Sequence, residues 1–226
     1  MHKISIPAYA LRLLRERGRD GEELERIDPA RTALLVVDMQ NGFVAPGAAL
    51  EISYAREIVP KINRLATALR LAGGKICWLQ TNFRDEADRW SFWFSKRLCP
   101  DAGAAMIAAL TPGNPGFDLF EELAVTPTDL RGVKTRFSPF IKGSSDIDDV
   151  LRGLGIDTVM VTGTVTNTCC ETTARDAMML NYRTIFVSDA NAARTDEEHN
   201  ATLGNMIQTF AEVASTDDIV RSLAGR

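Results

Sequence analysis

Two cysteines stand side by side in TGTVTNTCCETTARDA (162–177), an aspartate closes the apolar run TALLVVDMQ (32–40), and a lysine sits in GVKTRFSPF (132–140). A thiol, a carboxylate and an ammonium are the parts that nucleophilic attack on a carbonyl requires: an attacking atom, a proton acceptor, and a positive charge that holds both ionised groups. Taken singly, each residue has a plainer role. Asp38 serves equally well as a cap for the following turn, Lys134 as a surface lysine, and Cys169 or Cys170 as an inert buried thiol. The chemistry exists only if the fold brings the three segments to one place.

The intervening sequence says how it can. Short apolar runs alternate with helical patterns. Strands are expected over Thr32–Gln40, Lys75–Phe83, Asp129–Ser138, Asp157–Gly163, Arg183–Ala190 and Glu212–Ser215. Helices are expected over Pro7–Arg26, Ser53–Leu71 (with Pro60 marking a kink or a late start), from Ser144, over Thr168–Asn181, Thr195–Phe210 and Thr216–Leu223. Gly73 and Gly74 stop the second of these helices. Residues Arg84–Asp118, rich in Trp, Phe, Pro and Gly, read as one long irregular functional loop. Alternating strands and helices predict an α/β domain with a mostly parallel, Rossmann-like sheet covered on both faces. Ligands bind beyond the C-terminal ends of such strands. The segments to inspect are therefore 38–41, 80–83, 134–136, 163–170 and 190–194.

The cysteine pair falls where the fourth strand gives way to a helix, with Thr166, Asn167 and Thr168 as a capping region. Unpaired N–H groups and the helix dipole there predict a thiolate with a pKa lowered from about 8.5 toward neutrality. The same N–H groups could hold an oxyanion. Successive helical side chains point about 100° apart, so only one cysteine can face the crevice. Cys170 shares a stripe with Ala174, Ala177 and Met178, although helical geometry alone also allows the opposite assignment.

Composition narrows the field. The chain has 226 residues, a formal net charge of −4 and a 45% hydrophobic content, those of an ordinary globular protein with a substantial core. No basic surface argues for nucleic acid or an anionic membrane, and the most basic stretch, LRLLRERGR (11–19), reads as a solvated or subunit-contact helix face. No run of about 18 apolar residues predicts a membrane span, and the N-terminus lacks a signal-peptide pattern. Four cysteines without a C-x-x-C pair suit a reducing cytoplasm. Two histidines, His2 and His199, leave little from which to build a metal site. A single glycine in DMQNGF does not make a dinucleotide fingerprint.

The segments LLVVDMQNGF (34–43), GVKTRFSPF and VTGTVTNTCCETTARDA, in this order and spacing, resemble the isochorismatase-like cysteine hydrolase family over roughly 31–215. The resemblance implies a three-layer αβα sandwich around a six-stranded sheet. It implies a hydrolase domain over 31–226, preceded by an N-terminal helical extension over 1–30, and a homo-oligomer, dimer or tetramer. It also implies an Asp38–Lys134–Cys169 triad, selecting Cys169 as nucleophile and leaving Cys170 as a packing residue. A non-proline cis peptide at Thr164–Val165, turning the Val165 N–H into an oxyanion hole beside that of Cys169, follows from the same likeness.

The family's nicotinamidases carry a histidine-containing metal segment after the second strand. Here that region reads QTNFRDEADRWSFWF, without histidine, so no metal or other cofactor is expected. Family members that hydrolyse a vinyl ether do not need the cysteine. Its presence favours the amidohydrolase branch, which includes N-carbamoylsarcosine and ureidoacrylate amidohydrolases, and a cleavage of the C–N bond in a small amide or ureide. Asn41, Asn82, Trp90 and Trp93 are the expected rim of the substrate crevice. Arg194, in the region where such amidohydrolases bind a substrate carboxylate, would select an anionic ureide. The alternatives are a catalytically silent relative that binds a ligand or partner in the same crevice, and a vinyl ether hydrolase.

Overall fold

The computed structural model describes residues 1–16, 24 and 26–224. Six strands form one parallel sheet: β1 (Thr32–Val37), β2 (Lys75–Thr81), β3 (Leu130–Lys134), β4 (Thr158–Thr164), β5 (Arg183–Ala192) and β6 (Glu212–Ala214). Their order across the sheet is β3-β2-β1-β4-β5-β6. The helices are α1 (Ala8–Glu16), the short α2 (Asn41–Val44), α3 (Ala55–Leu71), α4 (Pro100–Ala109), α5 (Ile147–Gly153), α6 (Glu171–Met179), α7 (Asp196–Asn205) and α8 (Thr216–Ala224).

Both sheet faces are buried, which is why β1 reads as an unbroken apolar run. Alternate residues still serve opposite layers. Leu34 and Val36 meet α3 and α8 on one side, while Ala33, Leu35 and Val37 meet α5, α6 and α7 on the other. Helix α3 buries Ile58, Ile62, Leu65, Ala66 and Leu69 at the three-and-four spacing of a core-facing stripe. It runs through Pro60, without the late start that the proline suggested. Among the described residues no helix is long and apolar enough to cross a membrane.

Chain order and strand order together locate a crevice. From β1 the chain steps outward to β2 and β3, then returns to place β4 on the other side of β1 and steps outward again to β5 and β6. The direction reverses between β1 and β4, and the loops leaving their C-terminal ends diverge there. Gly163 marks the tightest approach at that point. It has φ +115°, and a Cβ built on it would lie 2.0 Å from the carbonyl oxygen of Val37. Only glycine lets β4 pass so close to the end of β1.

Several expected elements differ. Segment 84–118 is not one irregular loop: it contains α4, a wide turn at Trp93–Arg97 and a short helical turn at Pro115–Phe117. Pro100 at the first helical position and the alanine-rich run after it account for α4. The helix expected from Thr168 begins at Glu171, after a separate π-type turn over Thr166–Cys170. Helix α7 likewise ends at Asn205 and passes into a wide turn, Met206–Phe210. The first helix is described over Ala8–Glu16; the remainder of its expected span, with Arg17 and Arg19 of the basic stretch, lies outside the described residues apart from residues 24 and 26.

Candidate active site

Asp38 follows β1 at φ +53°, a left-handed conformation that aspartate tolerates better than most residues, and its N–H is held by the carbonyl of Leu79 at 2.9 Å. Lys134 is the last residue of β3. β2 lies between these two strands, and its last residue, Thr81, joins them. The Lys134 ammonium donates to Thr81 Oγ1 at 2.6 Å, and the Thr81 hydroxyl donates to Asp38 Oδ1 at 2.8 Å. Lys134 Nζ lies 2.9 Å from Asp38 Oδ2 and also donates to the carbonyl of Arg136 at 3.2 Å. Asp38 and Lys134 are both fully buried.

A buried ion pair costs desolvation on both sides and holds only with close partners such as these. Asp38 Oδ2 is near the ammonium, yet among the described residues it has no donor aligned for a hydrogen bond. It is the open acceptor of the site. The Cys169 thiol lies within hydrogen-bonding reach of both Asp38 and Lys134. Burial opposes the charge on Lys134, but Asp38 and Cys169 beside it hold its pKa above the ordinary lysine value.

The threonines of TNTCCETT build the turn that carries the cysteine. The Val165 carbonyl accepts from the N–H of Thr168 at 3.0 Å and of Cys170 at 3.2 Å. The hydroxyls of Thr173 and Thr172 donate back to the Cys169 carbonyl at 2.6 and 3.2 Å. The Thr164–Val165 bond that enters the turn is cis. Cys169 is 5% exposed; Cys170 is fully buried beside Ala174 and Ala177, with its thiol directed to the Thr162 carbonyl at 3.9 Å.

One expectation is reversed. Burial pushes the Cys169 thiol up; Lys134 pulls it down, but Asp38 raises it again, and it ends above the ordinary thiol range. The helix-terminus reasoning omitted desolvation, which dominates at a site this closed.

The candidate rim residues separate into two groups. Trp90 and Trp93 stack at 5.7 Å and close on Phe137, three residues beyond Lys134, at 4.9 and 5.1 Å. The Asn82 N–H donates to the Lys134 carbonyl at 2.9 Å, and its side chain accepts from the Arg84 N–H. Asn41 turns its amide to the Pro115 carbonyl at 3.0 Å, bracing the insertion. Arg194 is exposed, and its guanidinium has no hydrogen bond or ion pair among the described residues. Its backbone is fixed at the α7 terminus, where Thr195 caps Glu198 and the Glu198 carboxylate accepts from the Arg194 N–H at 3.1 Å.

Residues that sequence reasoning did not single out complete the site. Gln40 clamps Thr81 from both sides, accepting from its N–H at 2.7 Å and donating to its carbonyl at 3.1 Å. Arg136 donates to the buried carboxylate of Glu86 at 2.6 Å and lies over the Trp90 ring at 5.1 Å. Thr81 and Arg136 fall inside the strand-end segments marked for inspection, but nothing in their type set them apart.

Comparison with known proteins gives a consistent relationship. A family model described as an isochorismatase domain matches residues 32–218. Ureidoacrylate amidohydrolase RutB of Caulobacter vibrioides is 32% identical over 211 residues, covering 85% of this chain and 91% of that protein. A cysteine hydrolase from Pseudomonas syringae pv. phaseolicola superposes with a TM-score of 0.80 at 32% identity, over 89% of this chain and 96% of the other. N-carbamoylsarcosine amidase from Thermoplasma acidophilum gives 0.65 at 27% identity, over 83% and 97%.

Proposed function

We propose, for a chain that belongs to the isochorismatase family, that it is a cysteine-dependent amidohydrolase cleaving the C–N bond of a small amide or ureide. The observation that carries this reading is the buried Asp38–Lys134 ion pair adjoining the Cys169 thiol at the sheet's switch point. The names borne by the C. vibrioides and T. acidophilum relatives support the reaction class.

In this reading sulfur attack and proton transfer go together. Cys169 Sγ bonds to the carbonyl carbon as Asp38 Oδ2, the open acceptor, takes the thiol proton. Lys134 keeps the carboxylate ionised and in place. The oxyanion is met by the N–H groups of Val165 and Cys169. Protonated Asp38 then passes its proton to the leaving nitrogen, the C–N bond breaks, and a thioester remains, or a thiocarbamate from a ureide. Asp38 next draws a proton from water, whose oxygen attacks the same carbon and releases the acid and the thiol.

The substrate in this reading is an anionic ureide, such as an N-carbamoyl amino acid or a ureidoacrylate. Arg194, exposed and with its guanidinium unpaired among the described residues, takes its carboxylate. Trp90, Trp93 and Phe137 form an apolar cluster next to the lysine's loop, and the Asn82 N–H donates to the Lys134 carbonyl. Four free cysteines suit action in the reducing cytoplasm, and self-association into a dimer or tetramer belongs to the same reading. The test is ammonia release from a panel of ureides and linear amides. The reading expects turnover of at least one carboxylate-bearing ureide, lost in Cys169→Ser, with KM raised in Arg194→Ala. No turnover across the panel by pure, folded protein would remove it.

A further inference from the structure

The two histidines lie together on the far side of the nucleophile turn, 197 positions apart in sequence. Their rings stack at 4.4 Å with 15° between planes, and His2 also packs on Tyr54, the residue before α3, at 4.0 Å. Both are buried. The triad mechanism uses neither.

Their hydrogen bonds determine their protonation. His199 Nε2 faces the Ser188 carbonyl at 2.9 Å, so it must carry the proton and donate. Nδ1 is then an acceptor, and the Thr166 hydroxyl donates to it at 3.0 Å. His2 Nε2 accepts from the Ala193 N–H at 2.9 Å, so its proton is on Nδ1, which donates to Asp196 at 2.8 Å. Each ring thus joins two fixed points as a neutral imidazole.

The fixed points flank one short stretch of backbone. Thr166 opens the turn that ends at Cys170. Ala193 follows the last residue of β5, Ala192, which pairs with Thr164 on β4. The residues between these anchors are Thr164 and Val165, the entry to the cysteine turn. The N-terminal segment is held in turn by α7: the Ser5 N–H donates to Asn200 Oδ1 at 2.7 Å, and Asn200 Nδ2 donates to the Lys3 carbonyl at 3.0 Å.

We infer that His2 and His199 act as positioning residues: a stacked neutral brace that, through Ala193 and the Thr166 hydroxyl, sets the nucleophile turn against Asp38 and Lys134. The kinetic part of this inference rests on the hydrolase reading above; the structural part does not. Neither ring touches substrate. Losing a link should let the turn drift by a fraction of an ångström, enough to misplace sulfur while leaving the substrate rim intact.

The test compares Thr166→Val, Thr166→Ser and His2→Leu in the full chain, each checked for folding by circular dichroism. Two readouts are taken: kcat and KM on a hydrolysed ureide, and the rate at which iodoacetamide alkylates Cys169, followed by peptide mass spectrometry. Expected is a fall in kcat of about 10- to 100-fold for Thr166→Val and His2→Leu, KM changing less than about twofold, with Thr166→Ser restoring wild-type behaviour. Alkylation of Cys169 should slow in the first two variants and recover in the third. Wild-type kcat and alkylation in folded Thr166→Val and His2→Leu would overturn the brace, as would a Thr166→Ser variant as impaired as the valine. If no form hydrolyses any ureide or amide, the hydrolase reading fails, and the alkylation rates alone decide the brace by the same criterion. If Thr166→Val does not fold, His2→Leu and Thr166→Ser decide it.

Discussion

At the C-terminal edge of the sheet, Asp38 and Lys134 are closed off from solvent and tied to each other and to Thr81 by contacts of 2.6 to 2.9 Å, with the buried Cys169 thiol beside them. The segment 82–118 that walls them is built differently. Its tryptophans stack at 5.7 Å and meet Phe83 and Phe137 edge to face at 5 to 6 Å, and the Glu86–Arg136 ion pair fastens it to the lysine's own loop. The edge is a fixed electrostatic arrangement whose parts lose their meaning singly. The wall is a packing surface in which rings can be exchanged. The proposed function assigns reaction type to the edge and substrate choice to the wall: changes at the edge should act on kcat, and changes in the wall on KM.

The strongest test of that division is at Asp38. Asp38→Ala leaves the Lys134 ammonium buried without its counter-charge, so we expect a loss of about 3–5 kcal/mol in denaturant unfolding. Activity should fall by about 10²–10⁴-fold with the loss of the proton acceptor. Full stability in this variant would mean that the buried pair does not hold the edge together. Gly163→Ala should come next. Its φ of +115° and the 2.0 Å approach to Val37 leave no room for a methyl group. Destabilisation of at least about 2–3 kcal/mol is expected by thermal or urea unfolding.

In the wall, Arg136→Leu removes the partner of the buried Glu86 carboxylate and the cation over Trp90. A cost of about 1–3 kcal/mol and a raised KM with a smaller change in kcat are expected. A kcat effect as large as that of Asp38→Ala would erase the distinction between edge and wall. Cys170→Ala sharpens the same contrast inside one turn: it should cost about 1 kcal/mol of packing and leave turnover intact.

One effect needs no substitution and concerns pH. Burial lowers the pKa of His199 from 6.5 to about 4. The unfolded chain therefore binds a proton that the folded chain refuses, and stability falls as pH drops through that window, levelling off below it. About 2–3 kcal/mol should be lost between pH 6.5 and 4, measured by urea unfolding across that range. The slope should shrink in a His199→Gln variant that still folds.

The division also explains what could be read from sequence. Strand runs such as ALLVV are buried on both faces, so hydrophobicity alone marks them, and a polar residue just after each run marks the crevice. That brought Asp38, Lys134 and Cys169 into view. Thr81 was not separable from any other threonine at a strand end, because its role depends on β2 lying between β1 and β3, which is a property of strand order. Arg136 and Glu86 are 50 positions apart and meet only after the insertion has folded. Helix α4 hid in a run of small apolar residues without an amphipathic stripe. Local position predicts a lowered thiol pKa through the helix-terminus effect, whereas burial, which is set by the whole fold, raises it. The histidines, set aside as too few for a metal site, are placed by contacts from α3, α7, β5 and the N-terminal segment that no local pattern encodes.

The central claim is that carbon is transferred to Cys169 sulfur. The direct measurement is acid-quenched peptide mass spectrometry during turnover of a ureide substrate. The account predicts an acyl or carbamoyl mass on Cys169, absent from Cys170 and absent from Asp38→Ala. Product formed with no adduct at Cys169, or an adduct carried by Cys170, would contradict it.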